Sequence, residues 1–180
     1  MIWLFAGYAG SGKTTSAEYF ATKMPSARVT AFAKRVKDEV SSQYNIDRTL
    51  FDTQEGKATF LEDHGKTIRD LLIEHSAQHK EETHNPGIWA FYIKEELYEH
   101  PLVQHWIIHD WRYIAELKTL QAYHSVCTIR IVNPRIQASQ SPSEHELDGI
   151  TTDVIIQNDG TLEELYKKID AWVTQIYHTP

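Results

Sequence analysis

The sequence predicts a three-layer α/β domain built on a five-stranded parallel sheet, and three observations carry that expectation. A glycine-rich loop separates a short apolar run from a helical stretch at the very start of the chain. Strand-like and helix-like segments then alternate, which is the pattern of parallel pairing through right-handed crossovers. The strands also read as apolar runs, not as alternations, as strands covered on both faces do.

The elements follow in order. Strand-like runs occupy Ile2–Ala6, Ala27–Phe32, His105–Asp110, Val126–Val132 and Asp153–Gln157. Helical stretches occupy Lys13–Met24, Ala33–Tyr44, Lys66–Glu81, Ile88–His100, Tyr113–Tyr123 and Leu162–Tyr177. The last should begin at a Thr161 cap, with Glu163 and Glu164 in its first turn and a buried stripe of Leu162, Leu165, Ile169, Trp172, Val173 and Ile176. Two segments break the alternation. The stretch between the second and third strands is far longer than a crossover needs, which predicts an all-helical insertion at about 38–103, with the core at 1–37 and 104–180. The polar, serine-rich stretch Asn133–Ile150 is long for a loop inside one domain and reads as a lid.

Composition narrows the function. The 180 residues make one domain's worth of chain, 41% of them hydrophobic, and the formal net charge is −7. That balance argues against a broad surface for a nucleic-acid polymer. No run is long and apolar enough for a membrane span. The first residues read as a core strand, which leaves no room for a cleavable leader, so a cytoplasmic location is expected. The lone Cys127 lies in the apolar run "VCTIRIV" and reads as a buried, inert thiol. His75 and His79 stand four residues apart with His84 beyond, but a zinc site needs further fixed ligands, so a solvated face is expected there.

The loop "FAGYAGSGKTT" carries the chemistry. Gly7, Gly10, Gly12, Lys13 and Thr14 fit G-x-x-x-x-G-K-[ST], the P-loop spacing. Backbone N–H groups of such a loop cradle phosphates, the lysine reaches the β- and γ-phosphates, and the threonine hydroxyl serves Mg²⁺. The helix that follows adds its dipole to the anion site. Gly7, Ala9, Gly10, Ser11, Gly12, Lys13, Thr14 and Thr15 are therefore the expected ATP-binding residues. Phosphoryl transfer is mostly positioning and charge neutralisation, so cations outside the loop matter. Lys34, Arg35 and Lys37 follow the second strand, Arg69 lies in the insertion, Arg112 follows the third strand, and Arg130 and Arg135 flank the start of the lid. Asp110 closes the third strand, where it can hold the metal's water with Thr14 or cap the helix that follows. Glu116 stands four residues from Arg112, a spacing suited to an ion pair. Trp89, Phe91, Tyr92 and Trp111 can stack on a base or fill the core.

These segments together resemble a family. "LFAGYAGSGKTT", "AFAKRVK", "IRDLLIEH" with "NPGIWA", "IIHDWRYIAEL" and "PRIQASQSPSEHELDGITTDVIIQNDGTLEEL" are similar, in order and along nearly the whole chain, to the deoxynucleoside monophosphate kinases of viruses and phages. The D-x-R-x-x-x-E stretch from Asp110 to Glu116 and the S-E-H lid are the more specific features. The resemblance implies the P-loop kinase fold with sheet order 2-3-1-4-5, a helical acceptor-binding insertion and a short lid. It implies ATP and Mg²⁺ as cofactors and a (deoxy)nucleoside monophosphate as acceptor, with a homodimer left open. Lys37, Arg69, Trp89, Asp110, Arg112 and Glu144 would face the acceptor, with Arg112 on its phosphate. Arg135 would be a lid arginine on the transferring phosphates, and Asn158 would lie near the adenine. Lys13, Asp110, Arg112 and Arg135 form the expected catalytic set, with Thr14 and Asp110 at the metal. The location would then be a host cytoplasm. Kinases of the phosphomevalonate or dephospho-CoA type, and a non-catalytic ATP-binding module, are the alternatives. A regulatory GTPase would need N-K-x-D, which the chain lacks, and "DTQEG" does not follow a strand.

Overall fold

A computed structural model describes residues 1–138 and 142–178. The chain runs β1 (Ile2–Ala6), α1 (Lys13–Lys23), β2 (Ala27–Thr30), α2 (Ala33–Tyr44), a 3₁₀ turn (Arg48–Asp52), α3 (Gln54–Lys57), β3 (Phe60–Leu61), β4 (Lys66–Thr67), α4 (Ile68–Glu82), α5 (Ile88–Glu99), β5 (His105–Ile108), α6 (Ile114–Gln121), β6 (Val126–Val132), α7 (Pro142–His145), β7 (Val154–Gln157) and α8 (Leu162–His178). The main sheet has the order β2-β5-β1-β6-β7 and every pairing in it is parallel. Counted among its own five strands, that order is 2-3-1-4-5, as expected.

β1 shows why the strands read as unbroken apolar runs. All five of its residues are buried. Ile2, Leu4 and Ala6 enter one core with α2, α4, α5 and α6, while Trp3 and Phe5 enter the other with α1 and α8. Side chains alternate across a strand, so a central strand between two helical layers must be apolar at every position. The second core centres on Phe20, which is fully buried. It stacks on Trp172 with ring centroids 4.6 Å apart and meets Trp3 edge-on at 5.0 Å. Phe20→Ala should therefore cost about 3–5 kcal/mol of unfolding free energy, read from urea melts, because rigid aromatic neighbours cannot collapse into the void.

Three details depart from the sequence reading. The insertion is not all helical, because β3 and β4 pair as a short antiparallel hairpin. Gly65 makes its turn at φ 63, and two-residue strands give almost no alternation to read. α5 sends Trp89, Ala90, Ile93 and Leu97 into the same core as β1 and β5, so it serves as a layer helix of the sheet. In α8 the Thr161–Glu164 capping box forms, but Leu162 stands 54% exposed in the first turn, outside the buried stripe. No helix among the described residues is long and apolar enough to cross a membrane.

Candidate active site

The loop after β1 takes the conformation its glycines allow. Gly7, Gly10 and Gly12 all have positive φ. A Cβ on Gly7 would lie 2.4 Å from the Ile131 carbonyl oxygen, and one on Gly12 would lie 2.5 Å from Asn158 Nδ2. Both positions thus need glycine for conformation and for space. Asn158 braces the loop by donating from Nδ2 to the Ser11 carbonyl at 2.9 Å. Its expected place near an adenine is thereby joined to a structural task, the clamping of the P-loop from β7. Ile136, at the start of the lid, passes over Gly10.

Lys13 opens α1 and folds back over the loop. Its Nζ donates to the Gly7 and Tyr8 carbonyls at 2.6 and 2.7 Å. Burial, with the neighbouring Arg112 charge, lowers its pKa to about 8. The Thr14 hydroxyl is exposed and lies 3.3 Å from His109 Nδ1. Thr15 is half-buried in the same turn. The Ser11 and Ser16 hydroxyls are buried with no hydrogen-bond partner among the described residues.

Past the end of β5 the chain places His109, Asp110, Trp111 and Arg112 beside this loop. Asp110 accepts the Phe32 amide at 2.8 Å and the Ala33 amide at 2.9 Å, one on each carboxylate oxygen. It therefore caps the start of α2, not the helix that follows it, whose N-cap is Tyr113. The expected Arg112–Glu116 ion pair does not form. Glu116 is buried and accepts the backbone amides of Arg112 and Tyr113 at 3.1 and 3.0 Å. Burial pushes its carboxyl up to about 8, with the nearby Asp110 charge adding to the effect. With Glu116 turned to the backbone, the Arg112 guanidinium is free to reach Glu144 at 3.2 Å.

That contact belongs to the lid. Residues 139–141 of the expected lid lie outside the described residues. The rest is docked. Glu144 accepts the Ala9 amide at 3.1 Å as well as Arg112, and its side chain is only 4% exposed. Tyr8 donates its hydroxyl to Asp148 at 2.9 Å, and Glu146 accepts the Ile114 amide at 2.8 Å. Arg130 donates to the Leu147 and Ile150 carbonyls and so fixes the lid's far end to β6. Between Gly7, Tyr8, Trp111, Arg112, Glu144 and Leu147 a cavity of about 10 Å³ remains. The Glu144 carboxylate is thus an oxyanion held between a loop amide and a guanidinium.

The remaining predicted residues are spread around this centre. Lys37 Nζ donates to Asp52 at 2.9 Å, and Arg69 donates from Nη2 to the Gln54 side-chain oxygen at 2.5 Å. Lys37 lies in α2 and Arg69 at the start of α4, and their partners Asp52 and Gln54 are two residues apart. Trp89 is buried and donates its indole N–H to Ser76. With Phe32, Arg35 and Tyr92 it lines a cavity of about 240 Å³. Arg135 donates to the Asp159 carbonyl at 2.6 Å. His75 and His79 are engaged with Glu39 and the Tyr92 hydroxyl, each at 2.8 Å. Burial raises the Cys127 thiol to about 11, which makes it a poor nucleophile. The sequence reading passed over Lys57, a half-buried lysine at the end of α3. A weak signal was present, since no acid stands three or four residues from it on either side.

Comparison with known proteins extends this picture at the level of fold. No family model matches the chain. No curated protein matches it either. Among solved structures, TT1252 from Thermus thermophilus is 16% identical with a TM-score of 0.51, over 98% of this chain and 97% of that one. A sugar kinase from Janibacter sp. is 15% identical with a TM-score of 0.50, over 96% and 94%. A shikimate kinase from Aquifex aeolicus, 14% identical, matches over the full length of both chains with a TM-score of 0.47. At these identities the likeness is one of architecture. What this chain shares with the Thermus and Janibacter structures is its fold, a parallel five-stranded α/β sheet with helices on both faces.

Proposed function

We propose that the protein is an ATP- and Mg²⁺-dependent kinase that transfers the γ-phosphoryl group to the phosphate of a (deoxy)nucleoside 5′-monophosphate. One observation carries the reading: the Glu144 carboxylate bridges the Ala9 amide and the Arg112 guanidinium. A position flanked by a P-loop amide and a cation from the end of β5 is where a phosphoryl group would sit between donor and acceptor. Lys13 would move from the Gly7 and Tyr8 carbonyls to the β- and γ-phosphate oxygens. Arg112, released from Glu144, would neutralise charge on the transferring group. Lys37 and Arg69 would hold the acceptor phosphate in line, where orientation supplies much of the rate. Trp89, through the cavity it lines, would border the base.

The residues suit magnesium in kind. The Thr14 hydroxyl and the Asp110 carboxylate are hard oxygen donors, and no group of three His, Cys, Asp or Glu side chains among the described residues forms a cage. Such a sparse set fits an ion held mainly by phosphates and water. Its chemistry would be charge neutralisation between the phosphates. Asp110 would act through its remaining lone pairs, since each oxygen already accepts one amide.

The test is coupled ADP release with dTMP, dGMP, dCMP, dAMP, their ribose forms and phosphomevalonate as acceptors. Turnover with at least one nucleoside monophosphate is expected. Turnover with phosphomevalonate alone would move the assignment to that class of kinase. ATP binding without turnover on any acceptor would make the chain a binding module.

A further inference from the structure

We propose that Lys57 completes a three-cation site with Lys37 and Arg69, and that this site selects an acceptor carrying a phosphomonoester over one offering only hydroxyls. The inference rests on the proposed function and adds both a residue and a selection rule to it.

The geometry starts from α3. Gly56 is pressed against the preceding 3₁₀ turn so closely that a Cβ on it would lie 2.2 Å from the Leu50 carbonyl oxygen. The Thr53 hydroxyl accepts the Gly56 amide at 2.9 Å and caps the turn. α3 is thus clamped in one orientation. Asp52, just before it, holds Lys37, and Gln54, its first residue, holds Arg69. Lys57 stands one turn on from Gln54, at the spacing that places side chains on a shared face. The ammonium is half-buried and makes no hydrogen bond or ion pair among the described residues. Its pKa is lowered by burial first, then by the charges of Lys37 and Arg69, with Arg112 adding to them and Asp52 opposing.

Charge makes the arrangement informative. The chain carries 25 acids against 18 lysines and arginines, so carboxylates were available to quench every cation. Yet Arg69 leans on a neutral amide and Lys57 on nothing. Asp52 is shared between Lys37 and Arg48, and Arg48 has Asp38 as well. Across the cluster, three cations face Asp52, which leaves an excess of two positive charges. Gathering like charges in a partly buried place costs free energy unless an anion is bound there. A phosphomonoester dianion supplies the missing charge, and an arginine beside lysines can grip it through two parallel hydrogen bonds. A neutral polyol supplies none of it. Lys57 thus reads as the group that raises the charge requirement from one to two.

The experiment compares binding of each deoxynucleoside 5′-monophosphate with that of its own nucleoside, by calorimetry, on the full chain. Wild type should prefer the monophosphate. Lys57→Gln should weaken monophosphate binding at least about tenfold while leaving nucleoside binding within about twofold, and Lys57→Arg should restore most of the loss. Lys57→Met, which keeps the packed stem of the side chain, serves as the second neutral variant should Lys57→Gln fold poorly. An unchanged monophosphate-to-nucleoside ratio in a folded neutral variant overturns the role of Lys57 and leaves the kinase reading standing. A wild-type protein with no preference for the monophosphate overturns both.

Discussion

Replacing Lys13 with methionine should lower turnover at least about a thousandfold, while the protein keeps its fold and most of its thermal stability. The ammonium is the one charge that the P-loop itself brings to the phosphates, and its neutralising effect is greatest where charge develops in transfer. Its loss should be cheap for folding. Lys13 is held in place by two carbonyls and an unfavourable burial, and methionine fills the same volume without a charge to desolvate. The pH dependence gives a second measurement. The folded-state pKa lies near 8, below the usual lysine value of 10.5. Below pH 8 Lys13 is charged whether folded or not, and the cost of burying that charge is fully present. Between about 8 and 10.5 the unfolded chain binds more protons, so stability rises with pH across that window relative to Lys13→Met. A bound nucleotide draws the proton back. Binding near pH 8–9 should therefore take up a fraction of a proton, seen as a buffer-dependent calorimetric enthalpy that is lost in Lys13→Met. A folded Lys13→Met protein with near-normal turnover would sink the proposed mechanism.

Arg69→Lys should raise the KM for the acceptor monophosphate at least about tenfold, although the charge is kept. Gln54 holds one nitrogen of the guanidinium and leaves the rest of the fork for a phosphate. Lysine offers a point charge with no fork, and its shorter reach cannot keep Gln54 and a phosphate together. The acceptor would then be bound in the wrong orientation for in-line attack. The dissociation constant for ATP should change little, because Lys13 and the loop amides lie on another segment. Titration of ATP and acceptor kinetics on the same variant decide the matter. Collapse of ATP affinity with an unchanged acceptor KM would mean that Arg69 serves the other substrate.

The sequence by itself determined the frame of this protein and the conformation of its glycine-rich loop. Both are local. An apolar run must become a covered strand, three glycines at fixed spacing must become a loop with positive φ, and a Thr161–Glu164 pair must cap a helix, because each outcome depends on neighbours a few residues away. The family resemblance added the strand order, which pairing alone could not have supplied. The assignments of single side chains were legible only in part. Asp110 was visible as a strand-end carboxylate, but that it holds the amides of α2 depends on β2 and β5 lying side by side, 77 and 78 residues apart in sequence. The i,i+4 spacing of Arg112 and Glu116 suggested a pair, and burial overruled it: the carboxylate was better satisfied by two amides, and the guanidinium turned to a lid residue 32 positions away. Glu144 meets Ala9 across 135 residues, and Lys57 gains its electrostatic neighbours from α2, α4 and the end of β5. Such encounters carry no local signature, since they are set by how layers pack and by which charges desolvation then forces to find partners.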